Sequence, residues 1–170
     1  MRVLLGPGAS KGVEGLRPHV DGLRARGFDA AALQLPLGSA ERATPVFRRE
    51  IRADPGMVAG GHSFGGRVAS LAAAEDSPRG LLLLSYPLHP PGKPEQWRER
   101  TSHWPRIQCP VLLISGDRDQ FARIDLLQGA VNQLPVHEVH VLKGSGHGFR
   151  RELDEALDIA ARWLSTLAAR

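Results

Sequence analysis

Short runs of apolar residues alternate along the chain with longer stretches in which apolar residues recur at helical spacing. Residues 80–86, G-L-L-L-L-S-Y, are apolar almost throughout, which is typical of a parallel strand buried on both faces. Residues 152–169 instead carry Leu153, Leu157 and Leu164 along one helical face. The pattern predicts strands at residues 3–6, 28–35, 57–60, 80–86, 110–115 and 137–142, and helices at residues 16–26, 45–53, 67–75, 124–134 and 152–169.

This alternation of strand and helix predicts the fold class. Parallel strands need long crossover connections, and helices provide them. We therefore expect an α/β fold in which a six-stranded parallel sheet carries helices on both faces. A chain of 170 residues should form a single domain, spanning residues 1–170. In such sheets ligands bind beyond the carboxyl ends of the strands, so the loops that follow the strands are the places to look for function.

The loop after the third predicted strand reads G-G-H-S-F-G-G, residues 60–66, and contains the pattern G-x-S-x-G. Gly61 and Gly65 lie two residues either side of Ser63, which leaves room for a tight turn from strand to helix. Such a turn exposes the hydroxyl at a helix N-terminus, where N–H groups favour a developing negative charge. The pattern alone also fits a glycine-rich turn with a helix-capping serine. A catalytic turn of this kind, called a nucleophile elbow, additionally requires an acid and a histidine downstream.

An acid and a histidine do follow, each after its own predicted strand. The loop after the fifth strand, G-D-R-D-Q-F, contains Asp117 and Asp119, and the loop after the sixth, K-G-S-G-H-G-F, contains His147. The chain order Ser, Asp, His is that of the α/β-hydrolases. The sequence therefore predicts acyl transfer, in which Ser63 attacks, His147 accepts its proton and an aspartate orients the imidazole. On the residues alone, Asp119 and Asp117 compete for the acid's role.

The acyl-transfer hypothesis assigns further roles around Ser63. The backbone N–H groups of Phe64 and Ala9 are expected to bind the oxyanion, because Pro7 has no N–H and Gly8 lets its loop approach closely. A mostly apolar pocket should then accept a small ester or thioester. The residues expected to line it are Leu35, Leu37, Tyr86, Leu88, Phe121 and Phe149.

The longest irregular stretch is the proline-rich segment 87–104. Long loops in small domains are usually functional or disordered, and the aromatic residues Trp97 and Trp104 argue against disorder. We expect this segment to form a stiff cap over the pocket that selects short acyl groups. The alternative is that both tryptophan rings close the core at the edge of the sheet.

Charge and hydropathy indicate which classes of binding partner are not expected. The net charge of +4 comes from scattered arginines without an RNA-binding motif, so nucleic-acid binding is not expected. No apolar run approaches the roughly 20 residues of a membrane span, and the first residues lack the apolar region of a signal peptide, so a cytoplasmic protein without membrane contact is expected. The oligomeric state stays open.

Cysteine and histidine content predicts neither a disulfide nor a bound metal. Cys109 is the one cysteine and is expected to be a packing residue. His89 and His103 lack the spacing of known metal-binding motifs and are expected to lie near solvent in the cap. The sequence therefore predicts no metal and no cofactor.

The segments G-G-H-S-F-G-G-R-V-A-S, Y-P-L-H-P-P-G-K-P-E, G-D-R-D-Q-F and G-x-x-H together resemble one family. This is the group of α/β-hydrolase-like proteins that includes the testis-expressed protein thirty and the third subunit of the non-specific lethal complex, near the dienelactone hydrolases. The resemblance covers most of the chain and implies a trimmed α/β-hydrolase fold, with Asp119 as the acid. Some members of the group are regarded as chromatin-complex components, so a non-catalytic binding or scaffold module is the alternative function.

Overall fold

The computed structural model describes residues 1–10 and 12–169 and is built around one six-stranded sheet. All of its strand pairings are parallel, and the strands lie in the order β2-β1-β3-β4-β5-β6. Both the fold class and the number of strands predicted from the sequence are thus confirmed. The strands are β1 (Arg2–Gly6), β2 (Asp29–Ala32), β3 (Val58–His62), β4 (Gly80–Leu84), β5 (Val111–Gly116) and β6 (His137–Leu142).

Helices connect successive strands, as parallel pairing requires. The α-helices are α1 (Arg17–Ala25), α2 (Ala40–Ala53), α3 (Phe64–Ala73), α4 (Trp97–Thr101), α5 (Ile124–Ala130) and α6 (Leu153–Ala168). Short 3₁₀ helices occupy Gly12–Leu16, Pro94–Gln96, Trp104–Arg106 and Val131–Gln133. Within the part of the chain that the structure describes, no helix has both the length and the apolar character needed to cross a lipid bilayer.

The sheet separates two hydrophobic cores. Along β4, Leu81 and Leu83 pack into one core while Leu82 and Leu84 pack into the other, because successive side chains of a strand point to opposite faces. Helices α2, α3 and α5 contribute to the first core, and α1 and α6 to the second. Double coverage of the sheet explains why the β4 sequence is continuously apolar.

Helix α2 begins earlier than the sequence pattern predicted. The prediction that it starts at Pro45 was wrong, because the Oγ atom of Ser39 accepts a hydrogen bond from the N–H of Arg42 at 3.3 Å and caps a helix that starts at Ala40. Pro45 lies inside the helix, where its missing N–H removes only the bond to the Glu41 carbonyl. Strand β2 is shorter than predicted and ends at Ala32 rather than at residue 35.

The proline-rich segment 87–104 packs against the first core. Trp104 is completely buried, and its ring meets that of Tyr86 edge to face with centroids 5.0 Å apart. The Tyr86 hydroxyl in turn donates a hydrogen bond to the Arg100 carbonyl at 2.7 Å. Trp97 is half-buried against the same core. These contacts match the alternative in which the tryptophan rings close the core.

Candidate active site

Ser63 occupies the turn between β3 and α3 in a strained backbone conformation. Its φ of 52° and ψ of −117° are unfavourable for any residue with a Cβ atom, and surrounding packing must hold it there. A Cβ added to Gly61 would lie 2.5 Å from the Gly6 carbonyl oxygen, and one added to Gly65 would overlap the Gly6 carbonyl group. The glycines therefore let α3 press against the end of β1, and this contact fixes the serine at the carboxyl edge of the sheet.

The hydroxyl of Ser63 is the first member of a hydrogen-bonded series. Ser63 Oγ lies 2.7 Å from His147 Nε2, and His147 Nδ1 lies 2.8 Å from Asp119 Oδ2. The carboxylate can only accept, so Nδ1 carries the ring hydrogen and Nε2 is left to accept the Ser63 proton. The other oxygen of Asp119 accepts the backbone N–H of Phe121 at 2.8 Å. The Asp119 side chain is fully buried, and its partners hold it in one orientation.

Asp117 has a different partner from Asp119. Its Oδ1 atom accepts the backbone N–H of Gly144 at 2.7 Å, which ties the loop after β5 to the loop after β6. The two aspartates therefore have different roles. Asp119 contacts the His147 ring, whereas Asp117 holds the start of the loop that carries His147. Of the two acids that the sequence left open, Asp119 is the one hydrogen-bonded to His147.

His62, which precedes Ser63, holds the other end of His147. Its Nε2 atom lies 2.7 Å from the His147 carbonyl oxygen, so the N–H is on Nε2 and donates to that oxygen. The two imidazole rings lie with centroids 5.2 Å apart. Burial lowers the pKa of His62 and favours its neutral form, and the hydrogen bond to the His147 carbonyl oxygen opposes only part of this effect. This contact was not predicted from the sequence, although the position of His62 between Gly61 and Ser63 was a signal.

A cavity of about 930 Å³ opens beside Ser63 and His147. It lies between the loop after β1 and the loop after β6, and the lining includes Ala9, Phe121 and Phe149, three of the residues assigned to oxyanion or substrate binding. Phe64, which is half-buried, follows Ser63 at the first position of α3. Ala9 thus lines the same cavity as Ser63, and Phe64 directly follows the serine.

Four residues expected in the pocket lie elsewhere. Leu35, Tyr86 and Leu88 belong to the first core, and Leu37 is exposed over 78% of its surface. None of the four is among the described residues that line the cavity, and neither is any residue of the segment 87–104. The sequence pattern could not predict that the cavity opens between the loops after β1 and β6 rather than over β2 and β4.

His19, on α1, lines the cavity although it was not predicted from the sequence as a site residue. It is 6% exposed, and its ring centroid lies 5.6 Å from that of His62. Burial, together with the nearby His62, lowers the pKa of His19 to about 4, so its ring is neutral near pH 7. Helical periodicity explained Leu16, Val20 and Leu23 as core residues and gave no signal for the histidine between them.

The histidines of the proline-rich segment have local structural partners. His89 accepts the N–H of Arg123 at 3.1 Å and its other nitrogen lies 2.9 Å from the Pro90 carbonyl oxygen. His103 lies 2.8 Å from the hydroxyl of Ser70. The prediction that His89 and His103 lie near solvent was wrong, because both histidines are buried in the domain. Within residues 1–10 and 12–169, no three His, Cys, Asp or Glu side chains are grouped as a metal site would need.

The parallel sheet, the strained serine after β3 and the histidine after β6 define an α/β-hydrolase fold, in the trimmed form that the sequence predicted. Residues 39–168 match the family model described as "Alpha/beta hydrolase domain". The chain belongs to this family.

Solved structures with the same fold include several lipases and esterases. A monoacylglycerol lipase of Paleococcus ferrophilus matches with a TM-score of 0.84 at 17% identity, over 98% of this chain and 94% of its own. Est1E of Butyrivibrio proteoclasticus, with ferulic acid bound, matches with a TM-score of 0.83 at 15% identity, over 99% of this chain and 90% of its own. A predicted CIB-like hydrolase of Thermoplasma acidophilum matches with a TM-score of 0.75 at 18% identity, over 96% of this chain and 85% of its own. At these identities the likeness establishes the shared fold.

Proposed function

We propose that this protein is a serine hydrolase that cleaves a small ester or thioester through an acyl-enzyme. The observation that carries the proposal is the unbroken series of hydrogen bonds from Ser63 through His147 to Asp119, with distances of 2.7 and 2.8 Å. A nucleophile, a base within hydrogen-bond reach and a third group that orients the base are the requirements for nucleophilic catalysis.

In the first half of the reaction, Ser63 Oγ attacks the substrate carbonyl carbon while His147 Nε2 takes the hydroxyl proton. The carbonyl oxygen becomes an oxyanion, which the N–H groups of Phe64 and Ala9 would bind. Asp119 stabilises the imidazolium that forms. The tetrahedral intermediate then collapses, the bond to the leaving alcohol or thiol breaks, and His147 returns its proton to that leaving group.

In the second half, water repeats these steps on the acyl group attached to Ser63. His147 accepts a proton from the water as its oxygen attacks the acyl carbon, and then returns the proton to Ser63 as the acid is released. The hydrogen bond from His62 to the His147 carbonyl oxygen helps to keep the base in place through both halves. Neither half calls for a cofactor.

The cavity and the relatives support a small ester or thioester as the substrate. A volume of about 930 Å³ is within the range of small-molecule sites, and Phe121 and Phe149 give it apolar surface. The fold relatives include a monoacylglycerol lipase and Est1E with ferulic acid bound. The cytoplasmic location and the closer kinship with the testis-expressed protein thirty group remain predictions from the sequence.

A fluorophosphonate probe, which reacts with activated serines, tests the proposal. We expect the wild-type protein to be labelled at Ser63 and the Ser63→Ala variant to remain unlabelled. Ser70→Ala is the matched control, because Ser70 also contacts a histidine but is fully buried. This variant should label like the wild type. A folded wild-type protein that takes up no probe would contradict the proposal and support the non-catalytic binding or scaffold module.

A further inference from the structure

The ring of His62 lies between two of the loops that form the proposed active site. Its Nε2 atom donates to the His147 carbonyl oxygen in the loop after β6, at 2.7 Å. Another edge of the ring borders the loop after β1, because a Cβ atom built on Gly8 would lie 3.2 Å from His62 Nδ1 and 3.9 Å from its Cε1. Gly8 precedes Ala9, one of the two proposed oxyanion donors. One side chain therefore borders both the loop of the base and the loop of the oxyanion site.

The absence of a side chain at Gly8 leaves the space that the His62 ring needs. The φ angle of Gly8 lies outside the left-handed region, so its backbone does not itself require glycine. The added Cβ would lie 3.8 Å from Ser63 Cβ, which is an ordinary contact distance. Its contact with His62 Nδ1, at 3.2 Å, is tighter than the roughly 3.5–4.0 Å at which non-bonded atoms attract one another best. A side chain at position 8 would therefore press mainly on the His62 ring.

A small displacement of His62 would be passed on to the base. The ring is rigid, and its bond to the His147 carbonyl oxygen has the short length of a well-formed hydrogen bond. His147 Nε2 lies 2.7 Å from Ser63 Oγ, within reach of the proton that it is to accept. A shift of the His62 ring by a few tenths of an ångström would alter how these two atoms meet. Catalysis is sensitive to such changes, since a misplacement of about 1 Å can reduce a rate by about 10²-fold.

We infer that His62 is a positioning residue that keeps His147 aligned with the loop after β1, so that the base and the oxyanion donor meet the substrate carbonyl together. This inference rests on the proposed hydrolase function, and it goes beyond the hold on His147 because it links two loops through one ring. His62 need not touch the reacting atoms in this role. Its loss should therefore lower kcat and leave KM nearly unchanged, since alignment matters in the transition state rather than in ground-state binding.

A direct effect of Gly8 on its neighbour Ala9 is the competing explanation for a loss of activity caused by a change at Gly8. A methyl group at position 8 could turn the Ala9 N–H away from the oxyanion without involving His62. The two explanations differ in a variant that lacks the His62 ring. There the direct effect on Ala9 would persist, whereas an effect that passes through the ring would vanish.

A double-mutant cycle makes this comparison with Gly8→Ala, His62→Ala and the double variant, by kcat and KM on p-nitrophenyl acetate. We expect Gly8→Ala to reduce kcat by about three- to tenfold, as a displacement well under 1 Å would give. His62→Ala should reduce it by about tenfold, as the loss of one hydrogen bond would give. The double variant should be no slower than His62→Ala alone. His62→Gln should recover much of the loss, because its side-chain N–H can replace the Nε2–H.

Two control variants carry comparable changes outside the cavity. A Cβ at Gly56 would lie 3.3 Å from Asp54 Oδ1, a contact nearly as tight as the one at Gly8. His137 also bonds a backbone carbonyl, since its Nδ1 atom lies 3.0 Å from the Leu134 oxygen. Neither Gly56 nor His137 is among the described residues that line the cavity. Gly56→Ala and His137→Ala should therefore keep the wild-type kcat, and losses as large as those at Gly8 and His62 would contradict the inference.

The hydrogen atom between His147 Nδ1 and Asp119 Oδ2 gives a readout that needs no hydrolysis. Its NMR signal lies far downfield and shifts when the His147 ring moves. We expect this signal to move in Gly8→Ala, and to be the same in His62→Ala and in the double variant. That result would support the positioning role even if no ester is hydrolysed, in which case only the hydrolase proposal fails. Losses of kcat that multiply in the double variant, a change confined to KM, or a wild-type signal and kcat in Gly8→Ala would overturn it.

Discussion

The Nδ1 atom of His147 lies 2.8 Å from Oδ2 of Asp119, whose side chain is completely buried. A buried carboxylate is stable when donors satisfy its oxygens, and here the imidazole occupies one oxygen and the Phe121 N–H the other. The same two bonds fix the direction in which the His147 ring faces. Ser63 therefore meets Nε2 of a ring that is held in place before any substrate arrives.

Replacing Asp119 with Asn should reduce turnover by up to about 10⁴-fold, because an amide favours the wrong tautomer of His147 and cannot stabilise its cation. The measurement is kcat on a p-nitrophenyl ester, with circular dichroism to check that the variant is folded. Asp117→Asn is the matched control. Its amide oxygen can still accept the Gly144 N–H, so kcat should change far less. A larger loss at position 117 than at 119 would show that the acid is wrongly assigned.

The sequence could predict the sheet and the order of the reacting groups, because both depend on local patterns. Apolar runs mark the strands, and loops after parallel strands necessarily meet at one edge. It could not separate Asp117 from Asp119, since both lie in one loop, two residues apart, and their partners are set by how that loop meets Gly144 and His147. The resemblance to a known family supplied that choice.

The lining of the cavity was harder to predict than the reacting groups. His19 lies on α1, outside the motifs that carry the reacting groups, yet it lines the same cavity as Ser63. After the end of β2 at Ala32, Leu35 likewise packs into the first core and Leu37 is exposed, so neither lines the cavity. Such placements depend on tertiary packing, which carries no local signature in the chain.

Gly65→Ala should destabilise the protein strongly, because the added methyl group would overlap the Gly6 carbonyl and force α3 away from β1. We expect a loss of several degrees in melting temperature, or failure to fold. Gly129→Ala is the matched control, since it is also a helical glycine but its added Cβ would meet no described atom within 4 Å. Alanine has the higher helix propensity, so this change should stabilise by up to about 1 kcal/mol. Equal effects of the two changes would contradict the packing argument.

Trp104→Ala should act on stability rather than on substrate choice. The ring is completely buried against Tyr86, and removing such a side chain costs about 3–5 kcal/mol. The half-buried Trp97 should cost less when it is replaced by Ala. Chemical denaturation measures the loss of stability in each variant. Rates on acetyl and octanoyl p-nitrophenyl esters measure the acyl-chain preference. A change in the acyl-chain preference without loss of stability would restore the cap hypothesis.

The folded state should lose stability as the pH falls from about 6.5 towards 4. Burial lowers the pKa values of both His19 and His103 to about 4, whereas in the unfolded chain each takes up a proton near pH 6.5. Between these values the unfolded state binds more protons, so acid favours unfolding, and the loss is complete only below the folded pKa. Each histidine should account for about 2 kcal/mol between pH 7 and pH 5. Urea unfolding at the two pH values measures the loss in the wild type, and His19→Leu and His103→Leu should each reduce it. If His19→Leu keeps the full wild-type loss, the ring of His19 is not held neutral in the folded protein.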